Sequence, residues 1–246
     1  MKLLQIVKSG YRFQRGFAVG YALAIMLVFS VTSPANAAVA QLSFAPQSTQ
    51  HLSDSLSLSA RREAVYAFSI EQYARALRLL APIASSGDVV AQYYLASLHD
   101  AGLGVERNAA EAAYWYRQAA FNGHVDAQYN LGVAYSKGDG VIRDMSHAAR
   151  WWRAAARKGS LNAQFNLGLV YMGGRGVIAD ASEASRWWKM SASQGDPASQ
   201  YNLGALYANG EGVDQDIKRA RIWWQRAAAQ GFEQAIEALS SLEADK

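Results

Sequence analysis

The chain has 246 residues, of which 24 are basic and 20 acidic, so its formal net charge is +4. It contains no cysteine, which excludes structural disulfides, thiol chemistry and a lipid-modified cysteine anchor. Four basic residues and no acidic ones lie in residues 1–37, so the remainder of the chain has no net charge. Such a balance lacks the clustered excess of Lys and Arg that nucleic-acid binding requires.

The N-terminal segment, residues 1–37, is typical of an export signal. A basic stretch is followed by an apolar run over residues 17–31, then by Pro34 and an Ala-x-Ala sequence that ends at Ala37. This order predicts a cleavable secretory peptide, and the run is shorter than the about 20 apolar residues of a membrane span. The mature chain is therefore expected to begin at Ala38 and to be periplasmic or secreted. The alternative is an inner-membrane anchor formed by an uncleaved signal.

Two further segments precede the regular part of the chain. Residues 38–59 contain six serines, one proline and a single charge, Asp54, and are predicted to be a largely disordered linker. Residues 60–87 show a shorter helix-pair pattern with an apolar stripe on the second helix.

A 36-residue unit then occurs four times without insertion or deletion. The units are residues 88–123, 124–159, 160–195 and 196–231. A strict period of this length predicts a solenoid, in which each unit buries its apolar face by stacking on its neighbours. Residues 232–246 read as an amphipathic helix that caps the open end. The fold class is therefore predicted to be all-α, an α-solenoid of helix-loop-helix units.

Local signals agree with this period. An Asn or Asp precedes each second helix and is a good N-cap: Asn108, Asp144, Asp180 and Asp216. A glycine follows each second helix, where a left-handed residue is favoured: Gly123, Gly159, Gly195 and Gly231. The Gly-x-Gly loops within the units lack the preceding strand and third glycine of a dinucleotide site, so they are interpreted as structural turns.

Tryptophan marks the second helices. One position recurs in every unit and is predicted to form the core of the repeat: Trp115, Trp151, Trp187 and Trp223. In three units a second tryptophan follows directly. Neighbours on a helix point about 100° apart, so one member of a pair is expected to pack within its own hairpin and the other against the next unit. The alternative is an exposed aromatic strip that binds sugars.

Nothing in the sequence indicates catalysis. The four histidines show no ligand spacing, and no motif supplies an activated nucleophile. We therefore predict no metal, no cofactor and no enzymatic activity. A hydrolase is the least favoured of the functions considered.

The residues of the second unit carry a family resemblance. Its sequence resembles the Sel-one-like repeat (SLR) family, a relative of the tetratricopeptide repeats, through Ala127-Gln128-Tyr129-Asn130-Leu131-Gly132, Tyr135, Gly138-Asp139-Gly140-Val141, Asp144, Ala148, Trp151 and Gly159. The resemblance covers residues 88–231, whereas residues 60–87 are closer to a degenerate tetratricopeptide repeat. It implies a right-handed superhelix whose first helices line the concave side, and adaptor roles in bacterial envelopes and signalling. Ala96 departs from the family glycine.

The same resemblance places candidate partner-binding residues on the concave face. They are the aromatic and amide positions beside the core leucines: Tyr93, Tyr129, Asn130, Phe165, Asn166, Tyr201 and Asn202. The alternative is that these are framework residues of every unit. Positions that differ between units are candidates for specificity: Asp126, Val133, Ser136, Lys137, Asn162, Leu169, Met172, Ala198, Ala205 and Asn209. The expected function is a monomeric, exported adaptor that binds an envelope protein, and the alternative is a scaffold for polysaccharide export or cell-wall machinery that contacts glycans.

Overall fold

Of the 246 residues, the computed structural model describes residues 46–244, with side-chain environments for residues 58–243. The predicted export signal (1–37) and the first part of the predicted linker (38–45) lie outside the described residues. The described part contains eleven α-helices and no strand. They are α1 (Pro46–Ser69), α2 (Tyr73–Ser85), α3 (Val89–Ala101), α4 (Ala109–Phe121), α5 (Val125–Lys137), α6 (Met145–Arg157), α7 (Leu161–Gly173), α8 (Ala181–Ser193), α9 (Pro197–Asn209), α10 (Ile217–Ala228) and α11 (Glu233–Ala244).

Consecutive helices pack against each other along the whole described part of the chain. Four clusters of buried apolar side chains follow one another through the stack. Each first helix contributes a buried leucine at the same position of the unit: Leu95, Leu131, Leu167 and Leu203. The prediction of an all-α solenoid of helix-loop-helix units is confirmed.

The linker prediction is wrong for residues 46–59, because these residues are helical and belong to α1. The helix begins with Pro46, whose fixed φ suits the first helical position, and no glycine or internal proline interrupts it up to Ser69. Its C-terminal half is held by Ala64 and Ala67, which are fully buried in the cluster formed with α2 and α3. Packing of one end thus supports a serine-rich segment that has little helical preference of its own. The N-terminal unit therefore starts at Pro46 and not at residue 60.

The predicted helix caps are confirmed. The Asn108 side chain accepts from the Glu111 amide at 3.0 Å, and Asp216 accepts from the Arg219 amide at 2.9 Å. Asp144 and Asp180 cap α6 and α8 in the same way. All four glycines after the second helices have positive φ, between 79° and 101°. These caps satisfy backbone groups that a helix end otherwise leaves unpaired.

The second glycine of each loop is required by close approach to the preceding unit. A Cβ at Gly140, which has φ 71°, would clash with the Ala109 carbonyl at the start of α4. Gly104, Gly176 and Gly212 meet the starts of α2, α6 and α8 in the same manner. The loops are therefore structural turns that rest on the neighbouring unit.

A buried glutamine joins each unit to the one before it. Gln128 Nε2 donates to the Ala120 carbonyl in the last turn of α4 at 3.0 Å. The equivalent bonds in the other units measure 3.1–3.2 Å and involve Gln92, Gln164 and Gln200. Each of these carbonyls also accepts from the amide of the glycine that follows the helix, so the glutamine supplies a second hydrogen bond at the helix end.

The tryptophan prediction is wrong for three of its four members. Of the predicted set, Trp187 is buried, with 4% exposure, whereas Trp115, Trp151 and Trp223 are half-buried. The next residue forms the regular core position: Tyr116, Trp152, Trp188 and Trp224 are 2–4% exposed. The cause is the 100° turn between neighbours. The second residue enters its own hairpin, and the first lies along the preceding unit, as Trp151 does against Phe121 at 5.2 Å.

Trp152, Trp188 and Trp224 each face a glycine on the first helix of their own unit. A Cβ at Gly132 would lie 2.6 Å from Trp152 Cδ1 and Nε1, which is too close for any side chain. The indole instead lies flat on the helix and donates to the Tyr129 carbonyl at 3.2 Å. Trp188 and Trp224 make the same bond, at 3.2 and 3.0 Å. The first unit has Tyr116 at the tryptophan position and Ala96 at the glycine position, both in one buried cluster, so the departure at Ala96 accompanies a smaller ring.

Candidate functional site

The first helices carry one aromatic and one amide or aromatic side chain beside each core leucine. We call these residues of α3, α5, α7 and α9 the first-helix band: Tyr93, Tyr94, Tyr129, Asn130, Phe165, Asn166, Tyr201 and Asn202. In the first three units the side chains are half-buried, with one edge on the core and the other at the surface. The period of the helices places them in equivalent positions of successive units. Predicted site residues therefore do form a continuous row from α3 to α7.

At the start of the band, aromatic rings surround Tyr93. His124 stacks on it with ring centroids 4.4 Å apart, and Tyr94 meets it edge-on at 5.4 Å. Burial, reinforced by the nearby Asp126 carboxylate, raises the pKa of Tyr93 to about 12. Burial lowers the pKa of His124, which favours the neutral ring that accepts from the Ala127 amide at 3.3 Å. This end of the band thus offers uncharged, polar aromatic rings.

A pocket of about 60 Å³ lies next to the band, between α3, α4 and α5. Its polar lining includes Asp100, Tyr116, Asn130, Lys137 and Asp139. The Tyr116 hydroxyl lies 3.4 Å from Asp100 Oδ2, and the Asn130 side chain also interacts with it. The pocket has the volume to receive a small side-chain head group, and it combines hydrogen-bond acceptors with donors.

The charges at the pocket are coupled. Burial raises the pKa of Asp100, and the neighbouring Asp139 carboxylate raises it further. Arg107 opposes this shift, because its guanidinium lies 3.7 Å from Asp100 and forms an ion pair with Asp139. Val133 and Lys137, which the sequence identified as variable positions, both line this pocket.

The amides of the band link successive units. The Asn166 side chain interacts with the Tyr129 hydroxyl and opposes the rise in its pKa that burial causes. Asn130 also reaches the preceding unit, but it interacts with Tyr116 on the second helix α4. The predicted amide row is therefore partly engaged with neighbouring tyrosines, which fixes the orientation of its side chains.

The fourth unit departs from the prediction. Tyr201 and Asn202 are buried, with 7% and 6% exposure. The Phe232 ring, just before α11, lies 5.5 Å from the Tyr201 ring, and Trp224 lies 6.5 Å from it. The structure therefore contradicts the assignment of these two residues to an open surface, because the capping helix and its preceding turn cover them. The open part of the first-helix band ends at α7.

Two residues that line the pocket at the N-terminal end of the first-helix band were not identified from the sequence. Asp100 and Tyr116 were not among the candidates, although both differ from the other units. Positions equivalent to Asp100 hold Ser136, Met172 and Ala208, and those equivalent to Tyr116 hold tryptophan. The available signal was therefore departure from the repeat, whereas the partner-binding candidates were chosen because they conform to it.

No helix in residues 46–244 has the length and apolar character needed to cross a membrane. The side chains described also include no group of three or more His, Asp or Glu residues that could hold a metal ion.

Comparison with known families and structures agrees with this architecture. The sequence matches the family model described as Sel1 repeat over residues 89–124, 125–160, 161–196 and 197–232. Each matched segment begins one residue after the unit boundary predicted from the sequence. No curated protein matches the chain in sequence comparison.

Two solved structures are similar at 32% sequence identity. One is c5321, a protective antigen present in uropathogenic Escherichia coli strains that displays an SLR fold, with a TM-score of 0.72. The match covers 74% of this chain and 41% of c5321, so the chain spans less than half of that protein. The other is a Sel1 repeat protein from Oxalobacter formigenes, with a TM-score of 0.70 over 73% of this chain and 74% of that protein.

Proposed function

Because this chain belongs to the Sel1 repeat family, whose members are generally protein-interaction adaptors, we propose that it is a non-enzymatic adaptor of the bacterial envelope. It captures a peptide segment or domain of another envelope protein along α3, α5 and α7. The observation that carries this proposal is the open first-helix band, in which a half-buried aromatic side chain repeats over three units and an amide beside it over two.

The chemistry of the band suits an extended peptide. Asn130 and Asn166 can donate to and accept from a peptide backbone, and the aromatic rings beside them provide apolar area for its side chains. Binding energy at protein interfaces concentrates in a few aromatic and arginine residues surrounded by weaker contacts. Tyr93, Tyr129 and Phe165 supply such anchors at equal steps along the stack.

A glycan-binding scaffold is the weaker alternative. Sugar rings stack on open tryptophan faces, but Arg186 lies over the Trp187 ring at 5.6 Å and Arg226 over Trp223 at 4.6 Å. These cation–π contacts occupy surfaces that a sugar would use. For catalysis, the third possibility, the described residues offer no group of three or more side chains that could hold a metal ion.

The test removes the amides while preserving the fold. A chemically crosslinked pull-down from envelope extract compares the wild-type chain with Asn130→Ala/Asn166→Ala, and with Asn122→Ala as a matched control for the loss of an exposed amide. The double variant is expected to capture its partner at least about fivefold less, with unchanged helical circular dichroism. Equal capture by all three chains would refute the proposed binding surface.

Export is tested separately. The order of basic, apolar and Ala-x-Ala segments supports a mature N-terminus at Ala38. N-terminal sequencing of the protein recovered from the periplasmic fraction is expected to start there. Recovery of an intact Met1 in the membrane pellet would establish the anchored alternative.

A further inference from the structure

The exposed side of the second helices has a charge pattern that the first helices lack. On α4 this side comprises positions 110, 114, 117, 118 and 121, and the equivalent positions follow at steps of 36 on α6, α8 and α10, the last of them, Ala229, directly after α10. We call these twenty residues the second-helix face. None of them is buried. The period of the α-helix places the five positions of each helix on one side.

The second-helix face is basic. It holds six arginines, two lysines and no acidic residue. The centre is densest, with Arg150, Arg153 and Arg157 on α6 and Arg186 and Lys189 on α8. By contrast, the four first helices α3, α5, α7 and α9 together hold three charged residues: Asp100, Asp126 and Lys137. A chain without net charge beyond residue 37 therefore concentrates its positive charge on one side.

Neighbouring second helices form one surface. Phe121 on α4 meets Trp151 on α6 with ring centroids 5.2 Å apart. Lys158 after α6 donates to the Gly123 carbonyl after α4 at 2.7 Å, and Gln230 after α10 donates to the Gly195 carbonyl after α8 at 2.9 Å. The basic residues are thus presented together by helices that are tied at their sides and ends.

Few of these charges are neutralised within the molecule. Among the eight basic residues of the face, in the part of the chain that the structure describes, Arg186 alone forms an ion pair, with Glu183 at 3.3 Å. Like charges gathered on one surface repel each other and raise the free energy of the folded chain unless a partner neutralises them. The arrangement is therefore expected to be completed by a negatively charged surface.

The residues around the charges indicate which kind of anion fits. Exposed apolar side chains flank the basic centre: Tyr114 and Phe121 on α4, Met190 on α8 and Ile222 on α10. Protein interfaces are enriched in Arg, aromatic residues and Met and depleted in Lys, and this face has that composition. Its twenty residues also match the about 20–30 residues per side of a standard protein interface.

We propose that the second-helix face is a second docking surface, distinct from the first-helix band, and that its occupant is an acidic protein surface. Carboxylates of the partner pair with the arginines of α6 and α8, and apolar partner residues contact Phe121, Met190 and Ile222. The chain then bridges two proteins, one held on each side of the stack.

The experiment places the photo-crosslinker p-benzoylphenylalanine at Ala154, a half-buried position at the centre of the face, in cells that express the full chain. The charge-reversal variant is Arg150→Glu/Arg157→Glu. The control is Arg62→Glu/Arg175→Glu, which makes the same change in charge at two exposed arginines outside the face. Arg150→Gln/Arg157→Gln removes the charges with little change in length.

A discrete protein adduct is expected, with the crosslinked segment rich in Asp and Glu. Its yield should fall about tenfold or more with the reversal, less with the Gln variant, and little with the control, because opposed charges both weaken docking and slow encounter. Replacing the carboxylates of that segment by Lys should restore the adduct with the reversal variant. The Asn130→Ala/Asn166→Ala change should leave the adduct intact, which separates this surface from the first-helix band.

Several results would overturn the proposal. They are the absence of an adduct, an adduct with lipid, nucleic acid or polysaccharide in place of protein, or a crosslinked segment without carboxylates. An equal fall in adduct yield with the charge-reversal variant and with the control would also overturn the proposal, because it would mean that only the net charge of the chain matters. Circular dichroism and thermal unfolding of all variants show whether the reversal chain folds, and the Gln variant decides the outcome where it does not.

Discussion

The contact between Gly132 and Trp152 can be tested by converting it into the arrangement of the first unit, Ala96 with Tyr116. In Gly132→Ala the added Cβ would lie 2.6 Å from the indole, so either the ring or the helix must move. Overpacking of this kind costs about 1–3 kcal/mol. In Trp152→Tyr the smaller ring leaves unfilled space and loses the bond to the Tyr129 carbonyl. We expect Trp152→Tyr to lower the free energy of unfolding by roughly 2 kcal/mol.

The double variant should cost much less than the sum of the two single changes. Tyrosine vacates the space that the new methyl group enters, as it does in the first unit, so a coupling free energy of about 2 kcal/mol is expected. Urea unfolding followed by far-ultraviolet circular dichroism measures each free energy, and equal denaturant slopes among the four chains validate the comparison. Additivity within about 0.5 kcal/mol would refute the reasoning, because it would mean that the two sites do not compete for the same space.

Three further predictions concern stability. Because burial lowers the pKa of His124 in the folded chain, the unfolded chain binds more protons below the ordinary histidine pKa of about 6.5, and the stability should fall as the pH drops through and below that value. His124→Asn should make the stability depend less on pH. Melting temperatures measured against pH that have the same slope for both chains would contradict this prediction. Denaturant unfolding should show that Trp187→Ala lowers the free energy of unfolding by about 3–5 kcal/mol, and that replacing the half-buried Trp223 by Ala lowers it by about 1–2 kcal/mol. A larger loss for Trp223 than for Trp187 would contradict the assignment of burial. Gly140→Ala should lower the melting temperature more than Gly159→Ala. Both glycines have positive φ, but only a Cβ at position 140 would clash with a neighbouring unit. Equal decreases in melting temperature would argue against that contact.

The period alone predicted most of the fold. Helix pairs, caps and the turns of the loops follow from local signals that repeat four times. A wrong assignment in one unit is therefore corrected by the equivalent positions of the other units. Residues 46–59 could not be predicted this way. Their helix depends on the packing of Ala64 and Ala67 against α2 and α3. The amino-acid composition of residues 46–59 does not indicate these contacts, because they are made by residues further along the chain.

The candidate surface was predicted less well, because periodicity identifies equivalent positions but not their exposure. Tyr201 and Tyr129 are equivalent in sequence, yet Phe232 covers only the former, since it belongs to the non-repeated end. Trp151 and Trp152 are adjacent and identical, and only the geometry of the hairpin decides which one is buried. The position of Asp100 and Tyr116 at a pocket likewise depended on three helices meeting.

The loops give the stack a direction of assembly. Each loop rests on the second helix of the unit before it, and the loop at Gly104 rests on the start of α2. A unit removed from the C-terminal end therefore takes its own loop with it and leaves every remaining loop seated. Removal of α1 and α2 strips the support from the loop at Gly104 and leaves that unit with an unsupported edge. Lineages that lengthen or shorten such a chain should therefore change it more readily near α10 than near α2.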